Sequence, residues 1–181
     1  MKGLVLVGDY FEDTELIATI DVLQRHNEEI TLVSMMNRHQ VISKCGIKMD
    51  IDKLYNDISL NDYDFLFIPG GPGSFKILAF KEEVNQAIEY FISHDKLVCA
   101  ICAAPMLIGK LGYLKNKNYT VYPGFENQII GGNYLKNQGV VIDGKIISAK
   151  SMYYSIDLGL AIIEYYYGKE EKNNLEASLK Q

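Results

Sequence analysis

The stretch Leu97-Val98-Cys99-Ala100-Ile101-Cys102-Ala103-Ala104-Pro105 decides how the rest of the chain is read. Residues 97–100 form a short, unbroken apolar run, the pattern of a strand buried on both faces. Residues 103–111 continue as a helix. Cys102 therefore stands on a tight strand-to-helix turn, its side chain projecting above the sheet, as in a nucleophile elbow with cysteine in place of serine. A helix opening at Ala103 directs free N–H groups and its positive dipole end at the sulfur, favouring thiolate over thiol. The small neighbours leave room for a substrate.

Outward from this point, strands alternate with helices. Apolar or β-branched runs at 4–7, 30–34 and 65–68 predict strands, and 43–49 a short β excursion. Helical stripes cover 12–26, 82–93 and 156–167. Residues 140–147 read as a hairpin, with Asp143-Gly144 favouring a type I′ turn. This order predicts an α/β fold, a flavodoxin-like three-layer sandwich with a mostly parallel central sheet. Residues 1–167 read as one domain, and 168–181 as a polar tail whose Leu175 and Leu179 have the spacing of a terminal helix. Ligands of such sheets bind outside the carboxyl ends of the strands. Three segments converge there: 12–15, 70–73 and Cys102.

At 181 residues the chain suits one core burying roughly 70% of its unfolded surface. A net charge of −5 offers no basic field for nucleic acid or an acidic membrane. No apolar run approaches the ~20 residues of a membrane span, and the run at 4–7 is too short for a signal peptide's core. Three cysteines do not make a disulfide framework, which points to a reducing, cytoplasmic setting.

Cys99 and Cys102 have the Cys-x-x-Cys spacing, but with Cys99 in an extended strand their Cα atoms lie up to roughly 10 Å apart, too far for a disulfide. Cys99 is read as core; Cys45, near Gly46, suits a surface or a subunit contact. Glu12 and Asp13 fit first-turn electrostatic capping. Glu15 shares a stripe with Ala18 and Val22 and points toward the crevice, where burial beside an anionic sulfur would favour its protonated form. In Gly70-Gly71-Pro72-Gly73, the Gly71 amide faces Cys102 and, with that of Ala103, makes an oxyanion hole. His26, His39 and His94 fall at no strand carboxyl end, so neither a Cys-His pair nor a zinc cluster is expected.

Three motifs, 11–15 ending in Glu15, 68–73 around Gly71, and 100–105 around Cys102, resemble those of the ThiJ/PfpI superfamily, the group that includes the parkinsonism-associated deglycase. The likeness runs from Lys2 to about Tyr167 and extends to the stretch Tyr122-Pro123-Gly124-Phe125-Glu126. It implies Cys102 as nucleophile, Glu15 as its protonated partner and Gly71 with Ala103 as anion-binding amides. It also implies a homodimer and no metal or organic cofactor. The protease-like branch has histidine where Ala103 stands, so peptidase activity is not expected. Tyr122 stands where the deglycase has histidine, and Ser148-Ala149-Lys150-Ser151 replaces the usual Ser-Arg-Gly-Pro, making Tyr122 and Lys150 a changed pocket wall. The resemblance implies a glyoxalase- or deglycase-type enzyme acting on small reactive aldehydes. A non-catalytic stress sensor or chaperone would use the same cysteine.

Overall fold

The computed structural model describes residues 1–181. In chain order the strands are β1 (Lys2–Val7), β2 (Glu29–Ser34), β3 (Gln40–Ile42), β4 (Lys48–Asp50), β5 (Lys53–Leu54), β6 (Phe65–Ile68), β7 (Leu97–Ile101), β8 (Asn118–Tyr119), β9 (Asn133–Tyr134), β10 (Val140–Asp143) and β11 (Ile146–Ala149). The helices are α1 (Asp13–Arg25), α2 (Pro72–Lys76), α3 (Glu82–Ser93), α4 (Pro105–Lys110), α5 (Ser155–Tyr167) and α6 (Lys169–Leu179).

Seven strands form one sheet in the order β10-β11-β7-β6-β1-β2-β5. All pair in parallel except β10, which runs antiparallel to β11. The inner order β2-β1-β6-β7-β11 is the flavodoxin arrangement, and its strand order reverses between β1 and β6. Side chains alternate across the sheet. Leu4 and Leu6 enter a core of 22 buried residues with α3 and α4, whereas Val5 and Val7 enter one of 21 with α1, α5 and α6. Both faces are covered almost equally, which is why the central strands read as unbroken apolar runs.

Local differences from the sequence reading have local causes. Of the β excursion at 43–49, Lys48 and Met49 lie in β4, which pairs antiparallel with β3, and residues 43–47 form the turn between the two strands. In the β10–β11 hairpin Asp143 pairs with Ile146, leaving Gly144-Lys145 as the loop. Only Gly144 takes a positive φ, 62°, the signature of a type II′ turn rather than I′. The helix after β7 begins at Pro105, not Ala103. Cys102 lies in the left-handed region and cannot enter a helix, while proline's fixed φ suits the first helical position. The polar tail forms α6, which buries Leu175 in the second core.

Candidate active site

The carboxyl ends of β1, β6 and β7 bring together the three segments singled out above. At the end of β7 the chain turns at Cys102, whose φ is 63°. A non-glycine residue held there carries about 1–3 kcal/mol of strain. Two backbone hydrogen bonds hold it: the Cys102 amide donates to the Ala149 carbonyl at 2.9 Å, and the Tyr122 amide donates to the Cys102 carbonyl at 2.8 Å. The elbow is thus fixed by β11 and by the segment after β8, both distant in sequence.

Glu15 follows β1, in the first turn of α1, and is 1% exposed. The Gly70 amide donates to its Oε2 at 2.9 Å, and the Cys102 side chain lies beside its carboxyl in the same cavity. Burial raises the carboxyl from 4.5 to about 7; the bonds from Cys102 and Gly70 oppose this, and the Glu12 charge reinforces it. From β6 comes Gly71, at φ 87°. Its amide and that of Ala103 face the Cys102 sulfur and favour its charged form.

The expected resting thiolate is corrected by these surroundings. Burial first, then the charge and hydrogen bond of Glu15, push the Cys102 thiol up to about 12, against the two amides. The six-residue α4 starts too far along to reverse the balance. Protonation of Glu15 removes the repelling charge and turns the carboxyl into a donor, so thiol and carboxyl titrate as a coupled pair.

A cavity of about 520 Å³ takes in Cys102, Glu15, Gly71, Ala103 and Tyr122. Lys150 is not part of it. Its amide donates to the Gly139 carbonyl at 2.8 Å, beyond the end of β11, and its Nζ donates to the Lys136 carbonyl at 2.6 Å. Ser151 and Met152 line the wall instead.

Sequence reasoning missed several lining residues. Glu12 makes no side-chain cap on α1; it accepts from Lys44 Nζ at 2.7 Å, and both line the cavity. Lys44 arrives from the turn after β3, which is tied down where the Lys44 amide donates to the Phe11 carbonyl at 2.9 Å. No periodicity marks that turn. Pro72 and Phe75 from α2, and Phe125, complete the apolar lining; of these, Pro72 and Phe125 lay inside stretches already noted. Cys99 is fully buried and Cys45 exposed, and all three cysteines are free. None of the histidines lines the cavity. No group of three or more His, Cys, Asp or Glu is placed to hold a metal ion, and no helix is long and apolar enough to cross a membrane.

The profile of the DJ-1/PfpI family matches residues 1–165. Protein DJ-1 homolog B of Arabidopsis thaliana is 30% identical over 93% of the chain, which spans 38% of that protein. A Pyrococcus abyssi protein named a deglycase is 30% identical over 83% of the chain and 90% of its own length. Among solved structures, the oxidized DJ-1 of Toxoplasma gondii superposes with a TM-score of 0.88 at 27% identity, covering 98% of this chain and 97% of that one.

Proposed function

The chain belongs to the DJ-1/PfpI family, and on that premise we propose that it is a cysteine-dependent enzyme acting on small reactive aldehydes, of the glyoxalase or deglycase type. One observation carries the reading: a strained cysteine, a buried carboxyl raised toward neutrality and two donor amides share a single cavity. Each suits a different moment of the reaction.

With a 2-oxoaldehyde, Glu15 takes the thiol proton and the sulfur attacks the aldehyde carbon, forming a C–S bond. The carbonyl electron pair moves to oxygen, where the Gly71 and Ala103 amides hold it. Glu15 passes the thiol proton to that oxygen, completing the hemithioacetal. It then removes the proton from the former aldehyde carbon and returns it to the neighbouring carbon, while the hydroxyl proton moves from the first carbon's oxygen to the second's. The first carbon is oxidised and the second reduced, giving the thioester of a 2-hydroxy acid. Water cleaves the C–S bond and restores the thiol. R–CO–CHO plus water yields R–CHOH–COOH, with no external oxidant. A carboxyl near 7 suits a group that must both take and give a proton.

Production of lactate from methylglyoxal by the wild type, and its loss in Cys102→Ser, is the test. Absence of Cys102-dependent lactate removes this reading.

A second reading is favoured by the same two amides. Groups that hold an alkoxide also hold the oxygens of an oxidised sulfur, and one similar structure is of an oxidized DJ-1. In that role Cys102 is an oxidant sensor, and oxidation proceeds without aldehyde turnover.

A further inference from the structure

Glu15 and the amides of Gly71 and Ala103 are gathered around the Cys102 sulfur, and Pro72, Phe75, Phe125 and Met152 make most of the remaining lining apolar, with the hydroxyls of Tyr122 and Ser151 beside them. The one ammonium in the lining, from Lys44, is already paired with Glu12 at 2.7 Å. Phe75 and Phe125 come from separate segments, the helix after β6 and the loop after β8, yet their ring centroids lie 5.0 Å apart with planes at 49°. Both are only half-buried, so ring surface remains open to the cavity.

A three-carbon aldehyde bound at the sulfur leaves most of about 520 Å³ to water. A polyhydroxylated chain would fill the space but press hydroxyl groups against phenyl rings and a thioether, where they lose hydrogen bonds they have in water. An apolar ring gains burial and an aromatic contact without that loss. We propose that the site selects 2-oxoaldehydes whose R group is apolar and planar, an aryl group in the simplest case, with Phe75 and Phe125 as specificity-determining residues. This rests on the aldehyde-enzyme reading above and uses the same balanced reaction.

The test compares kcat/KM for phenylglyoxal, methylglyoxal and the polyhydroxylated 3-deoxyglucosone, each corrected by the Cys102→Ser background. Phenylglyoxal is expected to exceed methylglyoxal by about tenfold or more, and 3-deoxyglucosone to fall below both. Phe75→Ala and Phe125→Ala should each narrow the phenylglyoxal-to-methylglyoxal ratio by about threefold or more, chiefly through KM. Phe125→Leu keeps an apolar wall and should narrow it less. The wild-type ratios decide the matter if the alanine variants do not fold. Methylglyoxal turnover with no aryl preference, or 3-deoxyglucosone consumed as readily as phenylglyoxal, overturns the proposal and leaves the enzyme reading standing. No Cys102-dependent turnover of any of the three overturns both.

Discussion

Gly70 and Glu15 are locked together: the Gly70 amide donates to Glu15 Oε2 at 2.9 Å, and a Cβ on Gly70 would lie 2.5 Å from that oxygen. The same Cβ would lie 2.6 Å from Cβ of Cys102. Glycine is therefore required here by the close approach of the two reactive side chains. Gly70→Ala should cost about 1–3 kcal/mol in denaturant unfolding, the scale of overpacking. It should also abolish aldehyde turnover, because Glu15 and Cys102 cannot both keep their places. Retained activity would mean that their contact does not matter to the reaction.

The raised carboxyl of Glu15 makes stability depend on pH. Its folded value, about 7, lies above the ordinary 4.5, so the folded state holds the proton more tightly. The contribution is fully present below about 4.5 and is lost as pH rises toward 7, amounting to about 3 kcal/mol. Unfolding curves across this window should show wild-type stability falling relative to Glu15→Gln as pH rises. Parallel curves would place the titration elsewhere.

Removing the Glu15 charge should ease ionisation of Cys102. Burial remains in Glu15→Gln, but the carboxylate charge that comes next in raising the thiol is gone. Thiolate absorbance in the ultraviolet, taken as the difference from Cys102→Ser, should therefore rise at lower pH in Glu15→Gln than in wild type. Superimposable curves would separate Glu15 from the sulfur.

Graded peroxide should distinguish the three cysteines. Cys99 is fully buried, and burial raises its thiol well above the ordinary value, so it should remain reduced. The Cys102 thiol is held up as well, but it lines an open cavity beside the Gly71 and Ala103 amides, which would hold a sulfinate, so it should gain two oxygens. Cys45 is exposed, but its hydrogen bond to Asp13, followed by that residue's charge, holds its thiol up and slows it. Asp13→Asn should speed oxidation of Cys45 alone. Peptide mass spectrometry reads all three; equal modification of Cys99 and Cys102 would mean that the elbow confers no selectivity.

The surface around the cavity bears on assembly. Tyr10, Ile17, Ile47, Tyr153 and Ile156 are large, exposed apolar residues on segments adjoining the site. We expect them to be covered by a second copy of the chain. Light scattering should give twice the 20.5 kDa chain mass at micromolar concentration, and Ile17→Asp should shift it toward one chain. A wild-type mass of one chain would rule out the homodimer.

Much of this architecture was legible in the sequence because it depends on short-range patterns. Unbroken apolar runs at 65–68 and 97–100 can satisfy their backbones and bury both faces only inside a covered sheet. The order of strands and helices then leaves few topologies open. The polar tail was readable for the same reason: Leu175 and Leu179 are one helical turn apart, and α6 forms there. The positions of Cys102, Glu15, Gly71 and Ala103 could be read because each lies at, or is reached from, a strand end, whereas Tyr122 came from the family resemblance alone; all five share the cavity.

What only the tertiary structure decided is whatever depends on contacts between distant segments. Lys44 and Glu12 are far apart in sequence, and neither pattern nor propensity predicts that they pair. The aromatic wall is set by how α2 and the loop after β8 pack, so Phe75 and Phe125 meet without any shared motif. Lys150 leaves the site because pairing continues past β11 to Gly139. The charge state of the sulfur was misread for a similar reason. A strand-to-helix turn supplies donor amides locally, but desolvation and the Glu15 charge come from the folded surroundings, and they are the larger effects.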